Sequence, residues 1–405
     1  WGHVFNAQGE SFATDGAGSG GLNYVFPDSV FVTSPGAKRW LNGLNPGSPK
    51  HCGLEILSGT HVPPEWVGDF VTNDFRSHRV CRFTTQPNGS SYISRQQPEI
   101  ITTQRVSFRP IDAAMGPDGA LYIADWYNPI IQHGEVDFRD ERRDRTHGRI
   151  WRVSFPEREA DPWPEFATEN VDGLLKLLRD PALPVRQFAR EELWKRADQD
   201  PAKVLKAYRE WTAKDPGNRA LELFWFHEVL GMPIGDQLLA MFDVADPASW
   251  RTMLRSVWRS RLNESPETPN AALSRPLADL LNRILVERND PRLLLEAVVC
   301  AGQLDASISP QALSTVLQAS QQTSDPSLEF AIWQSLRSLD ASYPEQSILA
   351  SRKDWGGSLN ELASAITAIA NPKAAEIAVG LIETSDLNEQ TLNQLIAAVA
   401  VAGDA

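Results

Sequence analysis

The sequence contains little cysteine, no long apolar run and no excess of positive charge. Its 405 residues include only three cysteines, and no CxxC, CxxCH or zinc-ligand spacing occurs. This excludes a disulfide framework, a structural zinc site and a covalently attached haem in this chain. No run approaches the roughly 20 apolar residues of a membrane-spanning helix. The net charge of −13 argues against nucleic acid and anionic lipid as partners.

The rest of the composition is that of a folded protein of two or three domains, with 42% hydrophobic and 22% charged residues. The chain opens with Trp1, without an initiator methionine or a signal peptide, and Leu395 to Val401 has the pattern of an unfinished helix. We therefore expect a fragment of a longer protein, whose targeting sequence is not visible in this chain.

Charge and glycine divide the chain near residue 155. Residues 1–155 hold 15 Lys and Arg against 16 Asp and Glu, with 17 of the 26 glycines and six of the seven histidines. The remainder holds 24 Lys and Arg against 36 Asp and Glu. These proportions predict a loop-rich β domain over 1–155, a proline-rich linker over 156–170 and an acidic helical domain over 171–405.

An internal repeat in the first part predicts a β-propeller. Three copies share a turn glycine, a short β-rich run and an aspartate six residues after the glycine: Gly9 to Asp15, Gly68 to Asp74 and Gly119 to Asp125. They start 59 and 51 residues apart, close to the length of a four-stranded blade. Because closure takes about four to eight blades, the roughly three visible ones predict the C-terminal part of a propeller.

The second part has a helical period. Asp-Pro or Asn-Pro pairs recur 31 to 46 residues apart, and each supplies an N-cap oxygen followed by a proline suited to the first helical turn. Helix pairs at this spacing predict a HEAT-like α-solenoid. The six pairs begin at Asp180, Asp215, Asp246, Asp290, Asp325 and Asn371.

The motif from Phe108 to Val153 carries a family resemblance. It reads Phe-Arg-Pro-Ile-Asp, then Gly-Pro-Asp-Gly-Ala-Leu-Tyr-Ile-Ala-Asp-Trp-Tyr-Asn-Pro, and ends in Asp-Arg-Thr-His-Gly-Arg-Ile-Trp-Arg-Val. It resembles the membrane-bound dehydrogenase family of Planctomycetes and Verrucomicrobia, whose propeller is similar to quinoprotein sugar dehydrogenases. Family members typically join this propeller to HEAT repeats and a cytochrome c domain.

The resemblance implies a sugar or alcohol dehydrogenase, periplasmic or secreted. Its cofactor would be pyrroloquinoline quinone with calcium, and it would pass electrons to a cytochrome c domain outside this chain. The resemblance covers residues 1–155 in detail and the helical part only in architecture.

Several residues are candidates for this chemistry. A histidine can take the hydroxyl proton as hydride leaves, and we select His78, four residues after Asp74, and His133, in the long segment between Asp125 and His147. The guanidinium of Arg76 matches a quinone carboxylate. Aromatic rings beside Asp125 suit stacking on a sugar or a planar cofactor. The expected cofactor-binding residues are therefore Arg76, Trp126, Tyr127 and Asn128.

Each of these candidate residues also has a purely structural interpretation. Trp126 and Tyr127 would pack between blades, and the charged groups of the loop would form solvated ion pairs. Each histidine would form a hydrogen bond within a turn or between strands. The recurring aspartates would fix turns rather than bind calcium, and no metal ligands are assigned. Cys52 and Cys81 fall in adjacent predicted blades, as either a disulfide or free thiols.

The rival function is a non-catalytic propeller and solenoid that binds glycan or protein partners, with a possible protein partner on the solenoid. A calcium-dependent lactonase or hydrolase on the same propeller is a third, less favoured alternative. An enzyme should bring a histidine, an arginine and a cofactor-sized pocket together, whereas a binding module should show an open aromatic platform.

Overall fold

The computed structural model describes most of the chain as two compact units. One unit comprises Trp1–Phe26 with Phe31–Leu230, and the other comprises Pro27–Val30 with Gly231–Ala405. Strands give way to helices near the predicted linker, but the first four helices belong to the same unit as the strands. The described residues are 1–15, 20–31, 40–44, 50–131, 136–262, 271–287, 290–304, 309–320, 325–341, 348–351 and 358–403.

The first unit contains three antiparallel sheets of three, four and three strands. In each sheet, strands that are consecutive in sequence pair with one another, in the orders β1-β2-β3, β4-β5-β6-β7 and β8-β9-β10. The strands are β1 Gly2–Phe5, β2 Ser11–Thr14, β3 Leu22–Val25, β4 His51–Ile56, β5 Phe70–Asp74, β6 Arg79–Asn88, β7 Ser91–Thr102, β8 Pro110–Met115, β9 Leu121–Asp125 and β10 Arg149–Val153.

Each copy of the sequence repeat ends in a strand of a different sheet. Copies one, two and three supply β2, β5 and β9. In β9, Leu121 and Ile123 are fully buried while Tyr122 and Ala124 are half-buried, which is the alternation expected of a strand with one face toward a core. Strand β10 pairs with β9 so that Arg149 lies opposite Asp125.

The first strands of the three sheets approach one another closely. Strand β1 contacts β4, and β4 contacts β8. Gly53 of β4 adopts φ +68°, and a Cβ atom placed there would lie 2.6 Å from Oδ1 of Asp112 on β8. Only glycine, which has no Cβ atom, can adopt this backbone conformation and also allow β8 to lie so close to β4.

A shared apolar core joins the second and third sheets. Burying such side chains is worth about 1.5–3 kcal/mol each, which makes this core a main source of stability for the unit. It consists of Leu57, Val62, Val71, Val80, Phe108, Ala113, Met115, Leu121 and Ile123.

The cysteines correct one expectation. Cys52 lies on β4 and Cys81 on β6, so both belong to one four-stranded sheet rather than to adjacent blades. Both are free thiols, as is Cys300. Burial raises the pKa of Cys81 to about 12, which keeps it protonated.

Thirteen helices are found in the described residues beyond the sheets. They are α1 Val171–Leu177, α2 Leu183–Ala197, α3 Pro201–Ala213, α4 Pro216–Val229, α5 Asp236–Leu239, α6 Pro247–Leu262, α7 Ala271–Glu287, α8 Pro291–Gly302, α9 Ser309–Ala319, α10 Pro326–Ala341, α11 Leu359–Ile369, α12 Pro372–Thr384 and α13 Glu389–Gly403.

Five of the six predicted Asp-Pro or Asn-Pro pairs open a helix, those at α4, α6, α8, α10 and α12. Asp180 does not, because α2 begins at Leu183 with Ala182 as its N-cap. A further pair, Asp200-Pro201, opens α3, and the Asp200 side chain accepts a hydrogen bond from the backbone N–H of Lys203.

The helices of the second unit contact each other in a regular order. Helix α6 contacts α8, α8 contacts α10, α10 contacts α11, and α11 contacts α13. Helices α7 and α9 contact each other, and both contact α8. Among the described residues, no helix combines the length and the apolar character needed to cross a membrane.

Candidate functional site

A buried arginine joins two turns of the first unit. Arg109 lies just before β8 and is only 5% exposed. Its guanidinium donates hydrogen bonds to the carbonyls of Phe75 at 2.8 Å and Arg76 at 3.3 Å, in the turn between β5 and β6. It also donates to the carbonyls of Asn128 at 2.9 Å and Pro129 at 3.1 Å, in the segment after β9. The two segments from which the sequence selected its candidates are therefore neighbours.

His78 occupies the end of the first turn with a fixed ring. Its Nδ1 lies 3.0 Å from the carbonyl oxygen of Phe108 and 3.3 Å from Nη1 of Arg109. The carbonyl oxygen of Phe108 can only accept, and the two hydrogens of Nη1 of Arg109 are taken by the carbonyls of Phe75 and Arg76, so we assign the proton to Nδ1 of His78. The Nε2 lone pair of the neutral ring is then available to take a proton, and no partner for Nε2 occurs among the described residues. The backbone of His78 is left-handed, with φ 56°.

Asp125 organises the segment that follows β9. Its Oδ1 accepts hydrogen bonds from the backbone N–H groups of Arg109 at 2.8 Å and Tyr127 at 2.9 Å. Its Oδ2 accepts from Nε1 of Trp151 at 2.9 Å. The carboxylate is 3% exposed and engaged through both oxygens, so its role in this structure is to fix the turn.

The guanidinium of Arg149 lies over the ring of Tyr127 and near that of Trp151. The guanidinium carbon of Arg149 lies 3.7 Å from the ring centroid of Tyr127 and 5.6 Å from that of Trp151. Tyr127 adopts a left-handed backbone with φ 54°, which is uncommon for a bulky side chain and costs about 1–3 kcal/mol. The ring of His147 meets Tyr127 edge-on at 5.9 Å.

The four residues predicted to bind the cofactor differ in how accessible their side chains are to a ligand. The side chain of Arg76 is exposed, and only its backbone carbonyl is used by Arg109. Trp126 is 40% exposed. The ring of Tyr127 is covered on one face by Arg149.

Asn128 is the least available of the predicted contacts. It is buried, its Nδ2 donates to the carbonyl of Asp144, and its Oδ1 accepts from the N–H of Ile130. Both amide atoms of Asn128 thus bond to the protein's own backbone. Of the two candidate bases, His78 is described and His133 lies outside the described residues.

The charged loop before β10 is largely tied to itself. Arg142 forms an exposed ion pair with Asp140 at 2.8 Å, which helps to hold the pKa of that carboxyl well below its usual range. Arg145 donates to the carbonyl of Phe138. Hydrogen bonds from the backbone lower the pKa of Asp144 to about 2, and Asp144 pairs with the exposed His147.

Two further histidines are buried. Burial lowers the pKa of His51 to about 4, so this side chain is neutral at physiological pH. His61 is satisfied at both ring nitrogens, since Nδ1 lies 2.9 Å from the carbonyl of Glu159 and Nε2 accepts from the N–H of Phe155 at 3.1 Å. Neither ring is available as a base in this conformation.

The recurring aspartates lie at turns. Asp74 accepts a hydrogen bond from the N–H of Ser77 and forms an ion pair with Arg79 at 3.1 Å, as Asp125 fixes the turn after β9. Over the described ranges, no group of three acidic, histidine or cysteine side chains is arranged to hold a metal ion.

Sequence reasoning gave no role to Arg109, Arg149 or Trp151. The sequence does contain a signal for Arg149 and Trp151, which are two residues apart at the start of β10. Because residues i and i+2 of a strand lie on the same face, this spacing predicts that the two side chains are neighbours. No local pattern marks Arg109, because its partners lie 19 to 34 residues away along the chain.

A comparison with known families gives one match. The model described as "Domain of unknown function (DUF7133)" matches residues 1–157, which is less than half of the chain. No curated protein and no solved structure matches the sequence.

Proposed function

We propose that the first unit oxidises a sugar or alcohol, with His78 as the base that takes the hydroxyl proton. The observation that carries this proposal is the hydrogen bond from Nδ1 of His78 to the carbonyl of Phe108. It leaves Nε2 as the basic atom, on a side chain that is only half-buried. A general base of this kind contributes typically about 10²–10⁴-fold to a rate.

The architecture proposed for this chemistry is part of a β-propeller followed by a HEAT-like solenoid. Three antiparallel sheets whose first strands approach one another support the propeller. The contacts of α6, α8, α10, α11 and α13 in sequence support stacked helical repeats. The family resemblance adds a periplasmic or secreted location and a cytochrome c partner for the electrons.

A quinone such as pyrroloquinoline quinone would supply the hydride acceptor when bound. Two of the four predicted contacts fit it, since Arg76 offers an exposed guanidinium for a carboxylate and Trp126 an exposed ring for stacking. Asn128 does not fit, because both its amide atoms are bonded to backbone. Calcium is assigned no ligands, because no suitable donor group is assembled within the described residues.

The test uses the full chain with pyrroloquinoline quinone, with and without calcium, and follows both melting temperature and reduction of a dye by a panel of sugars and alcohols. His78→Asn is the informative variant, because asparagine tolerates a left-handed backbone and its amide can still donate to Phe108. We expect it to lower the rate about 10²-fold or more while the quinone still raises the melting temperature.

His3→Asn is the matched control, because His3 is exposed on β1, in a different sheet from the candidate groups, and its Nε2 lies 2.8 Å from Oγ of Ser11. It should leave the rate unchanged. Arg76→Ala should weaken quinone binding. An absence of both stabilisation and dye reduction, under conditions where a known quinoprotein responds, would contradict the oxidation.

A second candidate function is non-catalytic glycan binding. It is favoured by two exposed indole rings, Trp126 directly after β9 at 40% and Trp151 on the neighbouring strand β10 at 39%. Quenching of tryptophan fluorescence by sugars without any quinone tests it. Binding that is lost in Trp126→Ala and Trp151→Ala, together with an inactive dye assay, would favour this function over oxidation.

A further inference from the structure

Arg149 is held in place by rings but has no anionic partner. It opens β10 opposite Asp125, and its guanidinium lies over Tyr127 and beside Trp151. Throughout the described part of the chain, the side chain of Arg149 has no hydrogen bond or ion pair, and its Nη1 is buried without an acceptor. A buried guanidinium nitrogen without an acceptor is unusual, because buried polar groups are nearly always hydrogen-bonded.

The carboxylates around this arginine are already engaged. Asp125 accepts hydrogen bonds from the backbone N–H groups of Arg109 and Tyr127 and from Nε1 of Trp151. Asp144 pairs with His147, whose ring contacts Tyr127. Neither carboxylate is therefore in a direct ion pair with Arg149.

The backbone of Tyr127 gives a second, independent indication. Its φ of 54° is rare for a bulky residue, and it is the conformation in which the ring lies against the guanidinium. Strained residues of this kind cluster at ligand sites, where the surrounding structure holds them in place.

We infer that Arg149 binds the carboxylate of an acidic sugar, such as a uronic acid. A guanidinium is planar and can donate two parallel hydrogen bonds to a carboxylate. The partly exposed ring of Trp151 beside it, 39% accessible, offers an apolar surface for the sugar ring. This inference rests on the sugar ligand of the proposed function and names its chemical class.

The test compares galacturonate with its methyl ester and with galactose, by calorimetry or tryptophan fluorescence on the full chain. The ester keeps the ring and removes the charge. We expect the wild-type chain to bind galacturonate at least about tenfold more tightly than the ester, as expected for one charge-assisted pair. In Arg149→Gln the two dissociation constants should become equal, while binding of the ester persists.

Arg152→Gln is the matched control, since Arg152 lies on the same strand but pairs with Asp118. The Arg152→Gln variant should still bind galacturonate more tightly than its methyl ester. If Arg149→Gln does not fold, Arg149→Lys serves instead, because it keeps the charge, loses the planar fork and should retain only part of the preference.

Equal binding of acid and ester by the wild-type chain, or a preference that survives in Arg149→Gln, would overturn the inference. Oxidation of neutral sugars in the dye assay would be untouched by that result, so the two failures are distinguishable. Failure of every sugar to bind, acid or neutral, would overturn the inference and the sugar ligand together.

Discussion

Nε of Arg109 donates a 2.9 Å hydrogen bond to the carbonyl of Asn128, 19 residues later in the chain. Through the same guanidinium, the turn that carries Arg76 and His78 is fixed against the segment that carries Trp126 and Tyr127. Arg109 is therefore the residue on which the relative positions of the candidate groups depend.

Replacing Arg109 should destabilise the first unit strongly. In Arg109→Met, four backbone carbonyls lose their donor, and each unsatisfied group costs about 1–3 kcal/mol when it stays buried. Because water and local relaxation will satisfy some of them, we expect a loss of about 3 kcal/mol or more in the free energy of unfolding, measured by urea titration. Arg105→Met at an exposed position is the control and should change stability by less than about 0.5 kcal/mol. An equal effect of both variants would contradict this role for Arg109.

His51 should make the protein acid-sensitive. Its pKa is about 4 in the folded state, mainly because of burial, against 6.5 for an exposed histidine. Between these values the unfolded chain binds a proton that the folded chain does not, so stability falls as the pH drops from about 6.5 to 4. The full loss from this group is about 3 kcal/mol.

The measurement is urea unfolding at several pH values for the wild-type chain and for His51→Gln. Glutamine does not titrate in this range, so the variant should show a shallower loss of stability toward low pH, whatever its stability at neutral pH. Parallel pH profiles for the two proteins would show that His51 does not contribute.

The three thiols should fall into two classes of reactivity toward a thiol reagent. Cys81 and Cys300 are buried, whereas Cys52 is half-buried and donates to the carbonyl of Ile111 at 2.8 Å. Burial raises the pKa of Cys52 and, more strongly, that of Cys81. With a thiol-specific disulfide reagent at pH 8, we expect slow reaction of Cys52 alone in the native chain and of all three thiols in denaturant.

Cys52→Ser should abolish the native-state reaction and leave two thiols in denaturant. Only one reactive thiol in the denatured wild-type chain would mean that two cysteines are joined, contrary to the free thiols of the structure.

A buried ion pair in the second unit should be costly to break. Nε of Arg255 lies 3.0 Å from both carboxylate oxygens of Glu296, and the two side chains are 5% and 0% exposed. Glu296→Gln leaves a buried guanidinium without its counter-charge, and we expect a loss of about 3 kcal/mol or more in the free energy of unfolding.

The control for this pair is Asp243→Asn, which removes the carboxylate of an exposed ion pair with Arg283. We expect a loss of less than about 1 kcal/mol there. A small effect of Glu296→Gln, comparable to the control, would show that Arg255 finds compensation elsewhere in the unit.

Local patterns predicted much of the secondary structure. The glycine-to-aspartate repeat located β2, β5 and β9, and the Asp-Pro and Asn-Pro pairs located the starts of five helices. These signals are short-range, since a turn glycine, an alternating strand and an N-cap act within a few residues. Asp180 was the exception because Ala182, not Asp180, caps α2.

The site was harder to predict, because its geometry depends on contacts that are distant in sequence. The segment containing Trp126 and Tyr127 was identified, but the sequence could not show that Arg149 covers the Tyr127 ring or that Asn128 is used internally. The left-handed backbones of His78 and Tyr127 were equally hidden, because neither residue type favours that conformation as glycine does.

Arg109 holds its two turns through main-chain oxygens and makes no ion pair with any side chain in the described part of the chain. The side chains at Arg76 and Trp126 can therefore be replaced without removing a hydrogen-bond acceptor of the Arg109 guanidinium. A combinatorial library at these two exposed positions should vary ligand preference at nearly constant stability, which makes this surface a practical starting point for engineering new specificities.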